Sequence, residues 1–191
     1  MKSVLILGGA RSGKSRLAVE MAQKRGGEVL FVATAEARDS EMEQRIAAHR
    51  RVRPAGWKTL EVQAHIGNLI TQNTGRAGTV IIDCITLLVN NVFEQCGEKA
   101  DAAMLEKATE AEIKELLDCI ARSEALFIIV SNEVGLGIIP ADGVSRLYRD
   151  LLGRANQMLA THADEVYLLV AGLPVAIKKP ICYGRLQNID S

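Results

Sequence analysis

The chain has 191 residues, 48% of them hydrophobic, and its 23 lysines and arginines balance its 23 aspartates and glutamates. That length suits one domain over residues 1–191 with a sizeable core, and the even charge offers no basic field for duplex nucleic acid, so no nucleic-acid partner is expected. Cys84, Cys96, Cys119 and Cys182 are widely spaced without a C-x-x-C pair, which argues against a zinc site or a disulfide framework; they read as reduced, mostly buried thiols. No run reaches the roughly 18 apolar residues of a membrane span and no leader pattern precedes the first strand, so a soluble cytoplasmic protein is expected.

The first predicted strand, Val4 to Leu7, runs into Gly8, Gly9, Ala10, Arg11, Ser12, Gly13, Lys14 and Ser15, the G-x-x-x-x-G-K-S pattern of a phosphate-binding loop. Gly8 and Gly13 let the backbone turn its N–H groups toward phosphate oxygens. Lys14 supplies a point charge near the β and γ phosphates. Ser15 opens a helix predicted over 15–25, where its hydroxyl can serve Mg²⁺ and the helix N-terminus favours an anion. A second strand, 29–34, ends in Ala33, Thr34 and Ala35, small enough for a nucleotide to approach the backbone.

A helical segment over 40–51 follows, in which His49 stands among Arg45, Arg50, Arg51 and Arg53. Two readings stay open there. One is a solvated basic face; the other is an imidazole kept neutral, hence nucleophilic, by cations that also attract a polyphosphate. A helix over 65–73 precedes the strand 79–83, whose last residue, Asp83, matches a Walker B carboxylate sharing Mg²⁺ with Ser15, or else caps the next helix. Helices over 86–95 and 101–122 flank a loop from Gly97 to Asp101. The strand 126–132 ends in Ser131, Asn132 and Glu133 before a glycine-containing loop, which suits a substrate or metal contact as well as a plain polar turn. A helix over 143–162 and strands over 166–172 and 175–178 complete the pattern.

Short β-branched strands separated by helices predict an α/β fold: a mostly parallel central sheet flanked by helices on both faces, with the P-loop NTPase (RecA-like) architecture. Ligands in such sheets sit beyond the carboxyl ends of the strands. His65 and His162 read as ordinary polar side chains, and the apolar residues of 86–93 and 143–161 read as core more than interface.

The blocks GGARSGKSRLA, ATA, E-M-x-x-R-I-x-x-H-R, R-P-x-x-W, TLE at 59–61, IIDCIT and SNEVGLGIIPADGVSRLYRDLLGRANQMLATHADEVYLLVAGLPVAIK together resemble the bifunctional adenosylcobinamide kinase and adenosylcobinamide-phosphate guanylyltransferase family of cobalamin biosynthesis. The resemblance spans roughly residues 2–178. The phosphate loop alone is common to many enzymes; the SNEVGxGIxP and GRxNQxLAxxADEV blocks are specific.

The resemblance implies that ATP or GTP phosphates lie on Gly8 to Ser15, that Lys14 is catalytic, and that Ser15 and Asp83 hold Mg²⁺. It puts the guanylylated histidine at His49; some members carry two adjacent histidines, and Ala48 leaves His49 to serve alone. Arg50, Arg51, Val52 and Arg53 would lie close to the nucleotide, and Ala33, Thr34, Ala35, Glu61 and Asp83 match further contact positions. A corrinoid hydroxyl first takes the γ-phosphate; His49 then takes GMP from GTP and passes it to adenosylcobinamide phosphate. One phosphate loop serving both steps implies that the His49 segment moves. Family likeness also implies a homotrimer with the corrinoid between subunits. Glu133 and Asp83 are candidates for the base of the kinase step. Two rivals remain: a monofunctional small-molecule P-loop kinase, and an NTP-switched regulatory protein.

Overall fold

In the computed structural model, residues 2–35, 50, 53–97 and 99–179 are described, so His49, Arg51, Val52, Cys182 and nearly all of the helix predicted over 40–51 lie outside the described residues. The elements run β1 (Ser3–Gly8), α1 (Lys14–Arg25), β2 (Val29–Ala33), β3 (Lys58–Glu61), α2 (Ile66–Asn73), β4 (Thr79–Asp83), α3 (Ile85–Cys96), α4 (Ala102–Arg122), β5 (Leu126–Val130), α5 (Gly143–His162), β6 (Glu165–Val170) and β7 (Leu173–Lys178). All seven strands join one sheet in the order β3-β2-β4-β5-β1-β6-β7, parallel throughout except for the β6–β7 pair.

Continuous apolar runs make these strands because side chains alternate between two faces and both faces are covered. Val4, Ile6, Phe31, Ile81, Ile128 and Val130 pack with Ala18, Val19 and Ala22 of α1. Leu5, Leu30, Val32, Val80, Ile82, Phe127 and Ile129 pack on the other face with residues of α2, α3, α4 and α5. Leu5, Ile6, Ile81, Ile82 and Phe127 are among the largest fully buried side chains, each contributing about 1.5–3 kcal/mol of burial free energy. Among the described helices, α1 alone covers the first face.

Where α2 crosses α4, a Cβ on Gly67 would stand 2.3 Å from the Glu115 carbonyl oxygen, so only glycine permits this approach. The α2 N-terminus has no side-chain cap of its own; Glu112 of α4 accepts from the His65 and Ile66 N–H groups at 3.0 and 2.7 Å. Asp101 and Asp142 cap α4 and α5 in the usual way.

The predicted elements match closely, with three differences. β3 is a strand that the sequence reading did not contain: Lys-Thr-Leu-Glu has one apolar residue, and it is extended through pairing with β2. β5 stops at Val130, leaving Ser131 to Glu133 as loop, and the segment predicted as 166–172 turns at Ala171 and Gly172, both with positive φ, into antiparallel β7.

Candidate active site

Register aligns the carboxyl edge of the sheet. Glu61 pairs with Ala33, Ala33 with Asp83, Asp83 with Val130, and Val130 with Ile6. Paired residues of parallel strands share a face, so the carboxylates of Glu61 and Asp83 stand on the α1 side, in line with the strand that delivers the phosphate loop two residues beyond Ile6.

That loop is held by its glycines. Gly8 has φ 153°, and a Cβ there would sit 2.7 Å from the Leu169 carbonyl oxygen of β6. Gly13 has φ 98° and stands at the N-cap of α1 without a side-chain cap, so the first N–H groups of the helix remain for an anion. Arg11 also adopts a left-handed φ of 57°, a conformation costly outside glycine and found at ligand-holding turns. Lys14 is 7% exposed and donates from Nζ to the Gly9 carbonyl at 2.7 Å, which holds the ammonium against the loop that would carry the phosphates. Burial lowers its pKa, opposed at neutral pH by the Asp83 carboxylate.

Asp83 is half-buried and acts electrostatically on three neighbours: Lys14, Cys84 and Arg53. Removal from water and the Asp83 charge push the Cys84 thiol up to about 11, so it is neutral at pH 7 and is no nucleophile. Thr34, fully buried, locks this corner: its hydroxyl donates to the Cys84 carbonyl at 2.7 Å and accepts from the Cys84 N–H at 2.8 Å, while its N–H donates to the Asp83 carbonyl at 3.2 Å. Asn91 donates to the Thr34 carbonyl at 3.0 Å. Ala33 is buried and Ala35 half-buried beside it.

The arginine cluster forms on the same face, beyond β2. Arg53 stacks its guanidinium 3.6 Å from the Phe31 ring centroid, and Arg50 pairs with Glu61. Burial lowers the Arg53 pKa, with Asp83 and Glu61 opposing the fall and Arg50 adding to it. Among the described residues, Nε and Nη1 of Arg53 are buried and meet no hydrogen-bond acceptor. Arg50, Arg53, Pro54, Trp57, Thr59 and Glu61 line a cavity of about 310 Å³. Two arginines, one with unused donors, facing an aromatic wall suit an anionic ligand with a flat apolar part.

Ser15 follows Lys14, on which Asp83 acts, and among the described residues no group of three or more His, Cys, Asp or Glu could hold a metal by itself. A hydroxyl and one carboxylate fit Mg²⁺, which keeps waters and takes phosphate oxygens for most of its shell, and fit neither zinc nor calcium. The structure thus brings together Gly8 to Ser15, Ala33 to Ala35, Arg50, Arg53, Glu61 and Asp83. His65 and His162 stand apart from them: His65 lies 3.6 Å from the Glu115 carboxylate and His162 Nδ1 2.9 Å from the Met158 carbonyl, both exposed.

The parts played by Cys84, Phe31, Thr86, Tyr148 and Asn156 escaped sequence reading, whereas Asn132 and Glu133 were among its candidates. Cys84 adjoins Asp83 in sequence but gave no sign of its clamp with Thr34. Phe31, a lone aromatic in an aliphatic strand, was the available hint of a stacking platform. At the end of β5 the Asn132 N–H donates to Thr86 Oγ1 at 2.8 Å and its carbonyl accepts from Asn156 Nδ2 at 3.0 Å, while Tyr148 donates to the Thr86 carbonyl at 2.8 Å. Glu133, one residue further, donates its N–H to the Gly8 carbonyl at 3.0 Å.

Residues 4–177 match the family model described as Cobinamide kinase / cobinamide phosphate guanyltransferase. The Bifunctional adenosylcobalamin biosynthesis protein CobU of Salmonella typhimurium is 42% identical over 180 residues, covering 92% of this chain and 99% of that protein. The protein of the same name from Escherichia coli is 41% identical over 180 residues, with the same coverage. The Bifunctional adenosylcobalamin biosynthesis protein CobP of Pseudomonas aeruginosa is 40% identical over 174 residues, covering 91% of this chain and 96% of that protein.

Proposed function

This chain belongs to the cobinamide kinase / cobinamide phosphate guanyltransferase family, and we propose that it performs both reactions in cobalamin biosynthesis. It phosphorylates adenosylcobinamide with ATP or GTP, then transfers GMP from GTP to adenosylcobinamide phosphate by way of a histidine-GMP intermediate on His49. The observation that supports this most is the position of Asp83. Register lines Asp83 up with Ala33 and Glu61 between the strand of the phosphate loop and the arginine cluster, and its charge reaches both Lys14 and Arg53, which supports reading loop and cluster as one nucleotide site.

In the kinase step the loop N–H groups and Lys14 hold the triphosphate and stabilise charge as it spreads over the transferred group. Ser15 and Asp83 would hold Mg²⁺, which when bound supplies further charge neutralisation at the phosphates. In the transferase step the His49 imidazole attacks the α-phosphorus, a P–N bond forms, and pyrophosphate leaves with the electron pair. The phosphate oxygen of adenosylcobinamide phosphate then attacks that phosphorus and releases the imidazole. Arg50 and Arg53 would stabilise the leaving charge, and Arg51 and Val52 would contribute to the same nucleotide contact.

We also read the assembly as a homotrimer. β7 forms an outer edge of the sheet with every residue exposed, and Leu173, Val175 and Ile177 lie at 53–70% exposure, an apolar edge strand of the kind that a second copy covers.

The deciding experiment uses GTP labelled in its α-phosphate. The wild-type protein takes up acid-labile label, whereas His49→Ala takes up none and still phosphorylates adenosylcobinamide. Persistent labelling of His49→Ala would overturn the assignment, and absence of any adduct on the wild type would favour a kinase without transferase activity.

A further inference from the structure

The loop after β5 lies against the end of the strand that delivers the phosphate loop. The Glu133 N–H bonds to the Gly8 carbonyl, and the residue before it is pinned twice, through its N–H by Thr86 and through its carbonyl by Asn156. Three elements besides β5 therefore fix where this glutamate stands: β1, α3 and α5. Its side chain is also held, since Oε1 accepts from the Gly135 N–H at 2.6 Å, which leaves a carboxylate with capacity for a further donor.

Glu133 lines a cavity of about 390 Å³ together with Gly9 to Ser12 of the phosphate loop and the apolar Leu136, Leu169 and Val170. The mixture is informative. One wall is the loop to which the proposed function assigns the triphosphate, the others are mostly aliphatic, and Glu133 is the one acidic residue of the lining. That volume is too small for a corrin macrocycle and ample for a short aliphatic arm ending in a hydroxyl. Asp83 is the poorer candidate for proton transfer, since it already acts on Lys14 and Arg53 and stands at the metal position.

We propose that Glu133 is the proton acceptor of the kinase step and that this cavity receives the hydroxyl-bearing arm of the corrinoid, an assignment that rests on the function proposed above. The hydroxyl oxygen forms its bond to the γ-phosphorus as the bond to the β–γ bridging oxygen breaks; the nucleoside diphosphate leaves with that electron pair, and the hydroxyl proton passes to the Glu133 carboxylate. The transferase step makes no such demand, because its acceptor is a phosphate monoester whose attacking oxygen is already an anion. The two activities of one protein thus separate a base from a merely structural residue.

The test compares Glu133→Gln with wild type in two assays: phosphorylation of adenosylcobinamide by ATP, and guanylylation of preformed adenosylcobinamide phosphate by GTP. Loss of a general base costs about 10²–10⁴ in rate. The kinase-to-transferase ratio of kcat is expected to fall at least about a hundredfold, with the KM for adenosylcobinamide changed by less than about threefold. A ratio within about threefold of wild type overturns the assignment. Should Glu133→Gln lose both rates together, Glu133→Asp decides: a ratio lowered about tenfold with both rates measurable supports it, and an unchanged ratio overturns it. A wild-type protein that phosphorylates no corrinoid overturns the functional reading along with this one; a wild-type protein that does so beside an unaffected variant overturns this one alone.

Discussion

The phosphate loop and the arginine cluster share one edge of one sheet face, yet they are built from different material. The loop is backbone: eight consecutive residues shaped by Gly8 and Gly13, wedged against the Leu169 carbonyl, with a buried lysine bonded to the loop itself. The cluster is long side chains, brought from Arg50, Arg53 and Glu61 onto a four-residue edge strand, and its one firm anchor is the stacking of Arg53 on Phe31. A site assembled from backbone is rigid before ligand arrives and serves any triphosphate. A site assembled from exposed ion pairs contributes little to stability and much to the charge that a particular ligand meets.

Lys14→Met breaks the comparison hardest, since the proposed function passes both reactions through the loop. Kinase and transferase kcat are each expected to fall by about 10²–10³ or more in steady-state assays, the usual cost of one preorganised charge at a transferring phosphate. If only one activity collapsed, the two reactions would not share the loop. Arg53→Ala sharpens it. Removing that guanidinium bares the Phe31 ring and, on the proposed function, takes a cation from the nucleotide, so transferase kcat is expected to fall about ten- to a hundredfold, against a kinase loss of less than about threefold. Equal losses in the two assays would mean that the cluster serves the loop and has no separate role.

What the sequence disclosed follows the same division. The loop, α1, α5 and the central strands were legible because glycine spacing and apolar runs are local signals, and Asp83 was legible because it ends such a run. The strand order was not: β5, residues 126–130, lies between β1 and β4, and only long-range pairing puts Glu133 against Gly8. β3 was invisible because Lys58, Thr59 and Glu61 carry no apolar signal and owe their extension to a neighbour 25 or more residues earlier in the chain. Thr34 was singled out for a nucleotide, and in the structure its hydroxyl holds both backbone groups of Cys84, a role that spacing could not have revealed. Asn156 stood in the most specific block of the sequence, but its task, holding Asn132 and through it Glu133, depends on α5 packing beside β5's end.

The central claim is that a histidine carries GMP between the loop and the corrinoid. It is tested most directly by loading the protein with α-labelled GTP, stripping all free nucleotide, and adding adenosylcobinamide phosphate alone. The label is expected to leave the protein and appear in adenosylcobinamide-GDP, one for one, with no further nucleotide required. Label that stays on the protein while product forms only after fresh GTP is added would contradict it.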